Sequence, residues 1–396
     1  MDEQIDLPEW SDFLALLEPV AKRLIDKIHT PDDPLVRQEM YRMMMSAIAG
    51  GYVGLVHNDP DYPEWVPMLS SALNFAAPVP DFTYTYAPIR GEGVYRVAGY
   101  RGTSLFSVLT VSETYFTRTD NPKPGLANYD LDELTIASDG AFEVILSAER
   151  PAGYRGDWWY LDPAATNLGA RHAMYDWLHE VDPRMTIERL DVPAARPRTS
   201  AEELSARMAG VAQWVEYGIQ HWLIHLAQTR ERGVINRLEV HDYSGFTGSS
   251  WPQTYLEGLY DIDEDEALII ETEIPEQVRY WSFLVTDELF ATIDWTHRQS
   301  SLNAYQARLD ADGLFRGVVA VRDPGVPNWL DTGGFLQGAI QGRWNQASSA
   351  PHPRLTRVAL KEVRDHLPAD TPAVTPEQRD EQLRERRMGA QLRRKW

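Results

Sequence analysis

Apolar positions in residues 8–57 recur close to the helical period. In "PEWSDFLALLEPVAKRLIDKI", Phe13, Leu16, Leu17, Val20, Leu24, Ile25 and Ile28 fall on one stripe and predict a first helix. A second helix begins near Pro34 and runs through "LVRQEMYRMMMSAIAGGYVGLV", where Met43, Met44 and Met45 read as flexible core filler. From Asp59 to about Pro88, Pro, Asp, Tyr and Asn dominate, which reads as an irregular connection. From Gly93 the period shortens to two. "VYRVAGY", "SLFSVLTV" and "DELTIASDGAFEVILSAE" predict strands, the last folded on itself at Asp139-Gly140 as a hairpin. Residues 167–181 return to a helical pattern, and the linker "DVPAARPRTS" leads to Ser200. That serine, with Glu202 and Glu203 behind it, predicts the capped start of a long helix running to about Arg232. Strand patterning resumes from Leu238 in "ALIIETEI", "YWSFLVTD" and "FRGVVAVRD".

Two blocks of the chain rhyme. "SDGAFEVILSAERP" at 138–151 matches "ADGLFRGVVAVRDP" at 311–324, each with Asp-Gly two residues before a Phe and a Pro twelve after the Asp. Upstream, Phe106-Ser107-Val108-Leu109 is set against Trp281-Ser282-Phe283-Leu284. Downstream, Trp158-Trp159-Tyr160-Leu161 and Arg171 recur loosely as Asn328-Trp329-Leu330 and Arg343. His172, Tyr175 and Asp176 have no counterparts, since the matching positions begin Trp344-Asn345. The expected fold is therefore α+β and β-rich, with two related antiparallel sandwich or jelly-roll-like lobes. The expected organisation is a helical segment at 1–58, a first lobe with a terminal helix at 59–192, a linker and long helix at 193–236, a second lobe at 237–366, and a charged tail at 367–396.

Composition narrows the partners. The 396 residues are 43% hydrophobic, enough for sizeable cores, and carry a formal charge of −21. That charge argues against nucleic acid and anionic membrane surfaces, which need clustered Lys and Arg. The tail runs the other way, with seven basic and four acidic residues in 377–396, and reads as an exposed helix or an arm lying on the acidic body. Absence of cysteine removes disulfides, thiolate metal sites and Cys nucleophiles. With no basic-then-apolar leader and no stretch of eighteen apolar residues, a cytoplasmic protein is expected. Thirteen Trp and eighteen Tyr supply aromatic surface for cores and for sites that hold ring-shaped ligands.

The most chemically loaded stretch is "GDWWYLDPAATNLGARHAMYDW" at 156–177. Read as a helix, it places His172, Asp176 and Glu180 at i, i+4 spacing, where a carboxylate can orient an imidazole for acid–base work or simply pair with it. "QHWLIH" puts His221 and His225 one turn apart, but no third metal ligand is evident, and boundary histidines are the better reading. In "TIDWTHRQSSLN", His297, Arg298, Ser300 and Ser301 could hold a carboxylate, phosphate or polyol, or merely turn the chain. The acidic run Asp261, Asp263, Glu264, Asp265 and Glu266 lacks calcium-loop spacing. Nucleotide-binding glycine motifs and a serine-hydrolase elbow are missing.

Residues 265–345, with Tyr280-Trp281-Ser282, Arg298-Gln299-Ser300-Ser301, the Asp312-Gly313 turn, Asn328-Trp329-Leu330 and Arg343, resemble the bacterial domain of unknown function 1214. The resemblance implies a β-rich fold and no activity. From the residues, two readings stand. One is an enzyme using acid–base chemistry, of hydrolase or lyase type, on a small neutral, aromatic or polyol substrate in an aromatic-lined cleft between the lobes. His172 would be its acid or base, Asp176 the orienter and Arg298 a clamp, with Trp159, Tyr175, Trp281, Ser300 and Trp329 as substrate contacts and no metal or other cofactor. The other is a non-catalytic sandwich binding a carbohydrate or other small ligand. A homo-oligomer assembled through tail and acidic body is a third, structural reading.

Overall fold

The computed structural model describes residues 9–241, 243 and 252–393. Both N-terminal helices start on carboxylates. Glu9 and Asp12 cap α1 (Trp10–Ile25) reciprocally, and the Asp33 side chain accepts from Leu35 and Val36 N–H at α2 (Pro34–Gly51), with Pro34 in the first turn. The long helix α3 (Ala201–Glu231) opens as its sequence predicts, Ser200 Oγ accepting from Glu203 N–H at 3.1 Å. These helices form one layer, in which Val20, Leu24, Met43, Ala47, Val211, Trp214 and Val215 share a buried cluster. Beyond α2 the chain winds wider through Tyr52–His57, and Gly54 lets it press on α3: a Cβ there would lie 2.8 Å from the Trp214 ring.

Among the described residues, eighteen strands form four sheets. In the first lobe β1 (Val66–Leu69), β2 (Phe82–Pro88), β8 (Asn167–Ala173), β4 (Phe106–Ser112) and β5 (Ala127–Asp130) lie side by side, facing β7 (Asp157–Tyr160), β6 (Ala141–Ser147), β3 (Tyr95–Tyr100) and β9 (Arg184–Arg189). The second lobe repeats the order. One sheet holds β10 (Glu239–His241), β11 (Gln253–Asp261), β17 (Gln337–Asn345), β13 (Tyr280–Val285) and β14 (Ser301–Asn303). The other holds β16 (Trp329–Asp331), β15 (Phe315–Ala320), β12 (Glu266–Thr272) and β18 (Arg354–Ala359). Each strand of the first lobe has its counterpart nine strands later, down to the one parallel pair in each lobe, β6–β7 and β15–β16. The predicted duplication is therefore a property of the fold.

The ladders fix which residues correspond. Phe82, Ala173 and Phe106 are paired across β2, β8 and β4, and Gln253, Asn345 and Tyr280 across β11, β17 and β13. Counting inward, Tyr84 matches Tyr255, Arg171 matches Arg343, His172 matches Trp344 and Ser107 matches Trp281. This is one residue away from the sequence pairing of Phe106–Leu109 with Trp281–Leu284. Because side chains alternate along a strand, that one residue decides which face is being compared.

Three expectations are corrected. Residues 167–173 are a central strand rather than a helix, hydrogen-bonded to β2 on one side and β4 on the other, so the first lobe has no terminal helix. Leu168, Ala170 and His172 alternate onto one face, and two full ladders outweigh a local pattern that also fits a helix. The stretch 59–88 is not wholly irregular: "FTYTYAP" is β2, whose alternating Thr and Tyr are a strand signal hidden among turn residues. The Asp139-Gly140 turn forms, with Gly140 at φ +84° and Gly313 at φ +81° in its twin, and closes Ala137 N–H on the Ala141 carbonyl, but beyond that bond β6 pairs with β3 rather than with residues 132–136.

The tail is a docked helix, α4 (Pro376–Leu392), opened by a reciprocal cap between Thr375 and Gln378. Arg379, Arg386 and Arg393, seven residues apart, share one face. Arg379 donates to Asp323 (2.9 Å), Gln299 (2.8 Å) and the Val326 carbonyl (2.5 Å). Arg386 donates to the Trp295 carbonyl and Ser301 Oγ, and Arg393 to the Pro80 and Asp81 carbonyls. The tail thus straps one lobe to the other. Beneath it the fully buried Asp81 accepts from Trp177 Nε1 (2.8 Å), Tyr280 OH (2.6 Å) and Asn303 Nδ2 (2.6 Å), joining the lobes through one carboxyl whose pKa burial pushes up.

Candidate ligand pocket in the first lobe

Between the two sheets of the first lobe, where the edge of β2 meets β9, lies a pocket of about 330 Å³. Thr83 and Thr85 enter it from β2, His172 from β8, Met185 and Ile187 from β9, Trp65 from the segment before β1, and Asp182 from the turn before β9. Alternation explains the assembly: Thr83, Thr85 and His172 lie on the interior face of their sheet, whereas Tyr84 and Arg171 between them face away. His172 is 2% exposed, and Thr83, Thr85 and Asp182 are also buried.

The polar groups are partly committed. Thr83 Oγ1 donates to Asp182 Oδ2 at 3.0 Å and accepts from Arg393 Nη2 at 3.2 Å, which links the pocket floor to the tail strap. Thr85 Oγ1 is buried and has no hydrogen-bond partner among the described residues. Among the described residues no Lys or Arg lines the pocket, and the apolar walls are Trp65, Met185, Ile187 and two prolines, Pro63 and Pro183. The set can hold hydroxyl groups and an apolar face; it has no fixed cation for an anion.

The second lobe shows what these positions do when they only pack. There Thr85, His172 and Ser107 become Leu256, Trp344 and Trp281. Trp344 and Trp281 stand 6.1 Å apart, Trp281 meets Phe315 edge-on at 5.3 Å, and Phe283 stacks on Phe315 at 5.1 Å. Rings occupy the second interior where small polar groups leave room in the first.

The residues expected to act together are placed apart. Asp176 caps its own turn, accepting from Leu178 N–H at 3.0 Å and pairing with His179 Nδ1 at 2.7 Å; it is not on a helix with His172. Arg298 pairs with Asp331 (2.9 Å) in a wider cleft of about 640 Å³ between α2 and the second lobe. That cleft also holds Arg42 paired with Glu39 (2.7 Å), His297 paired with Asp294 (2.9 Å), and buried Asp287, whose Oδ1 accepts from two backbone N–H groups of its own turn. Its other charges pair with one another. Trp159 stacks on Tyr129 at 4.7 Å, Ser300 donates to the Ile293 carbonyl, and Trp329 Nε1 donates to the Ala320 carbonyl with Arg379 over its ring. Tyr175 stacks on Tyr280 and accepts from Trp281 N–H at 2.9 Å. These four, with Trp281, hold the fold.

His221 Nε2 contacts the Thr119 carbonyl at 2.9 Å and His225 pairs with Glu257; among the described residues no group of His, Asp and Glu side chains is arranged for a metal. Of the acidic run, Glu266 pairs with Arg357. No described helix is long and apolar enough to cross a membrane. Thr83 and Thr85 escaped sequence reasoning because β2 was not recognised, though the Thr-x-Thr alternation was there to be read; Asp182, in the turn before β9, carried no such signal.

An uncharacterised protein from Burkholderia cenocepacia has a similar structure, with 28% identity, a TM-score of 0.82, and coverage of 89% of this chain and 96% of that one. A protein from Vibrio parahaemolyticus aligns over 80% of this chain and 98% of its own at 12% identity and a TM-score of 0.45. No family model and no curated protein matches the chain.

Proposed function

We propose that the protein binds a small neutral ligand carrying hydroxyl groups on a ring, of the size of a monosaccharide, an inositol or a phenol, in the first-lobe pocket. The supporting observation is the divergence of the two lobes: the rungs that hold Trp344, Trp281 and Leu256 in one hold His172, Ser107 and Thr85 in the other, beside a pocket of about 330 Å³. Burying polar groups in place of rings costs stability unless the space has a use. A volume at the lower end of the ligand-site range, with one aromatic wall and a few convergent polar groups, suits such a ligand. Thr85 Oγ1 and the His172 ring supply hydrogen bonds, and Trp65 a face for the ring.

A second reading, acid–base catalysis in the same pocket, is favoured by one observation: an imidazole and a carboxylate, His172 and Asp182, line it together. In both readings the protein is cytoplasmic and its partner is a small molecule. The similarity of residues 265–345 to the domain of unknown function 1214 belongs to the same proposal and brings no activity with it.

Titration calorimetry with inositol, glucose and phenol tests the binding reading. Wild-type protein should bind at least one of them, and Thr85→Leu and His172→Trp, which install the second-lobe residues, should abolish that binding while leaving the circular dichroism spectrum unchanged. Undiminished binding by both variants, or none by the wild type, overturns it. If a bound compound is turned over, His172→Ala should abolish turnover while retaining most of the affinity.

A further inference from the structure

Arg171 and Arg343 occupy the same rung of the two duplicated ladders, and both face out of their own sandwich toward the other lobe. They meet. Two small cavities between the lobes, of about 80 and 40 Å³, are both lined by Arg171, Arg343, Tyr84 and Tyr255. Burial pushes the Tyr84 hydroxyl up, and both guanidiniums partly offset that, so both lie within electrostatic reach of one phenol.

Among the described residues, neither arginine is bonded to a carboxylate. Arg171 Nη1 donates to Thr110 Oγ1 at 3.1 Å. Arg343 is 3% exposed, its guanidinium sits over the Tyr255 ring, and Nη2 donates to Gln341 Oε1. Its Nε and Nη1 are buried and have no hydrogen-bond partner among the described residues. The nearest acid in this network, Glu257, is already saturated: His225, Tyr243 and Gln341 Nε2 (2.7 Å) all bond to it, and these partners hold its carboxyl below the usual range against the pull of burial. Glu257 therefore acts through Gln341 to aim Arg343 and does not neutralise it. A buried guanidinium with donors left over, lining the same cavity as a second arginine, is strongly unfavourable unless an anion completes it. In a chain of net charge −21, no described acid takes that role.

We infer that the cavity between the lobes is a binding site for a small carboxylate with an apolar or aromatic body, held by Arg171 and Arg343. The walls favour a carboxylate over a bare inorganic anion: beside the two arginines the larger cavity is lined by Leu69, Tyr115, Trp222 and Phe290, an apolar surface that an organic body can cover and a hydrated phosphate cannot. Planar anions suit guanidinium forks, which is why two arginines rather than lysines fit the role.

The probes are benzoate, acetate and inorganic phosphate, each titrated into the full-length protein and followed by thermal unfolding and calorimetry. Benzoate should raise the unfolding temperature saturably and bind more tightly than acetate, and phosphate should do neither. Arg343→Met and Arg171→Met should each weaken benzoate binding roughly tenfold to a hundredfold, as expected for a lost hydrogen bond to a charged group. Stabilisation by phosphate alone, or benzoate binding that survives both substitutions, overturns the inference. Crystals of the wild-type protein grown with 4-bromobenzoate give a readout that does not depend on variant folding. Anomalous bromine density between Arg171 and Arg343 supports the site, and bromobenzoate density only elsewhere, or none, refutes it.

Discussion

His172 and Trp344 stand on the same rung of two equivalent β-ladders, one opposite Ser107 and the other opposite Trp281, yet one borders a pocket and the other is packed among rings. The difference is measurable. Trp344→His should remove a ring that its neighbours cannot replace and lower stability by about 3–5 kcal/mol, the cost of large-to-small changes in a packed core. His172→Ala, beside space that already exists, should cost about 1 kcal/mol. Urea unfolding of the two variants compares them directly. Equal losses would mean that the first lobe is packed as tightly at this rung as the second.

What the sequence shows of this arrangement is the part set by short-range chemistry. Ser200 caps α3 where predicted, and Asp139-Gly140 and Asp312-Gly313 form twin turns because only glycine takes a φ above +80° there without strain. The recurrence of Arg171 as Arg343 is likewise visible in the chain. The strand at 167–173 is not, since Arg171, His172, Tyr175 and Asp176 satisfy a helical spacing and only pairing with β2 and β4, tens of residues upstream, decides otherwise. The pocket itself is least legible. Thr85, His172 and Asp182 come from three segments, and their meeting depends on which face of each strand is turned inward.

Protonation of Asp287 should make the protein more stable in mild acid. Burial pushes this carboxyl up to about 7 from the ordinary 3.8, although Leu289 and Ala291 N–H groups bond to it. The folded state therefore holds the proton more tightly than the unfolded chain. Its stabilising effect is complete below pH 4 and is lost as pH rises through about 7, by at most about 4 kcal/mol. Asp287→Asn keeps an oxygen for the two N–H groups and has no charge to desolvate. It should be more stable than wild type at pH 8 and similar to it near pH 4. Chemical denaturation at both values gives the comparison, and an unchanged gap between the two proteins would show that Asp287 does not titrate in this range.

Arg379 should anchor the tail. Its guanidinium is buried over the Trp329 ring and bonds Asp323, Gln299 and the Val326 carbonyl. Arg379→Ala removes the guanidinium donor from Asp323, Gln299, Gln382 and the Val326 carbonyl, at a cost of about 2–4 kcal/mol. The loss should appear first as release of α4, seen as faster proteolysis near residues 370–375 at temperatures where the lobes remain folded. Arg384→Ala is the control, because Arg384 pairs only with exposed Asp380 on the same helix and should change little. Equal proteolysis of wild type and Arg379→Ala would show that the strap is held elsewhere.

Gly54→Ala tests how closely the helical layer is fitted. The residue sits in the wide-wound turn after α2, and a Cβ would lie 2.8 Å from one atom of the Trp214 ring and 3.1 Å from the next. The indole cannot swing away freely, since Trp214 is buried between Tyr86 and Tyr115, with ring centroids at 6.2 and 5.7 Å. Helix propensity alone would make alanine stabilising by up to about 1 kcal/mol; overpacking of this kind costs about 1–3 kcal/mol. The second effect should win, giving a net loss of about 1–2 kcal/mol in thermal or urea unfolding. Gly210→Ala separates the two effects. Gly210 lies within α3, and its Cβ would meet only the end of the Leu55 side chain at 3.3 Å, so the gain in propensity should survive there. A stabilised Gly54→Ala protein would mean that α2 and α3 can part without loss, and that the contact with Trp214 does not set their spacing.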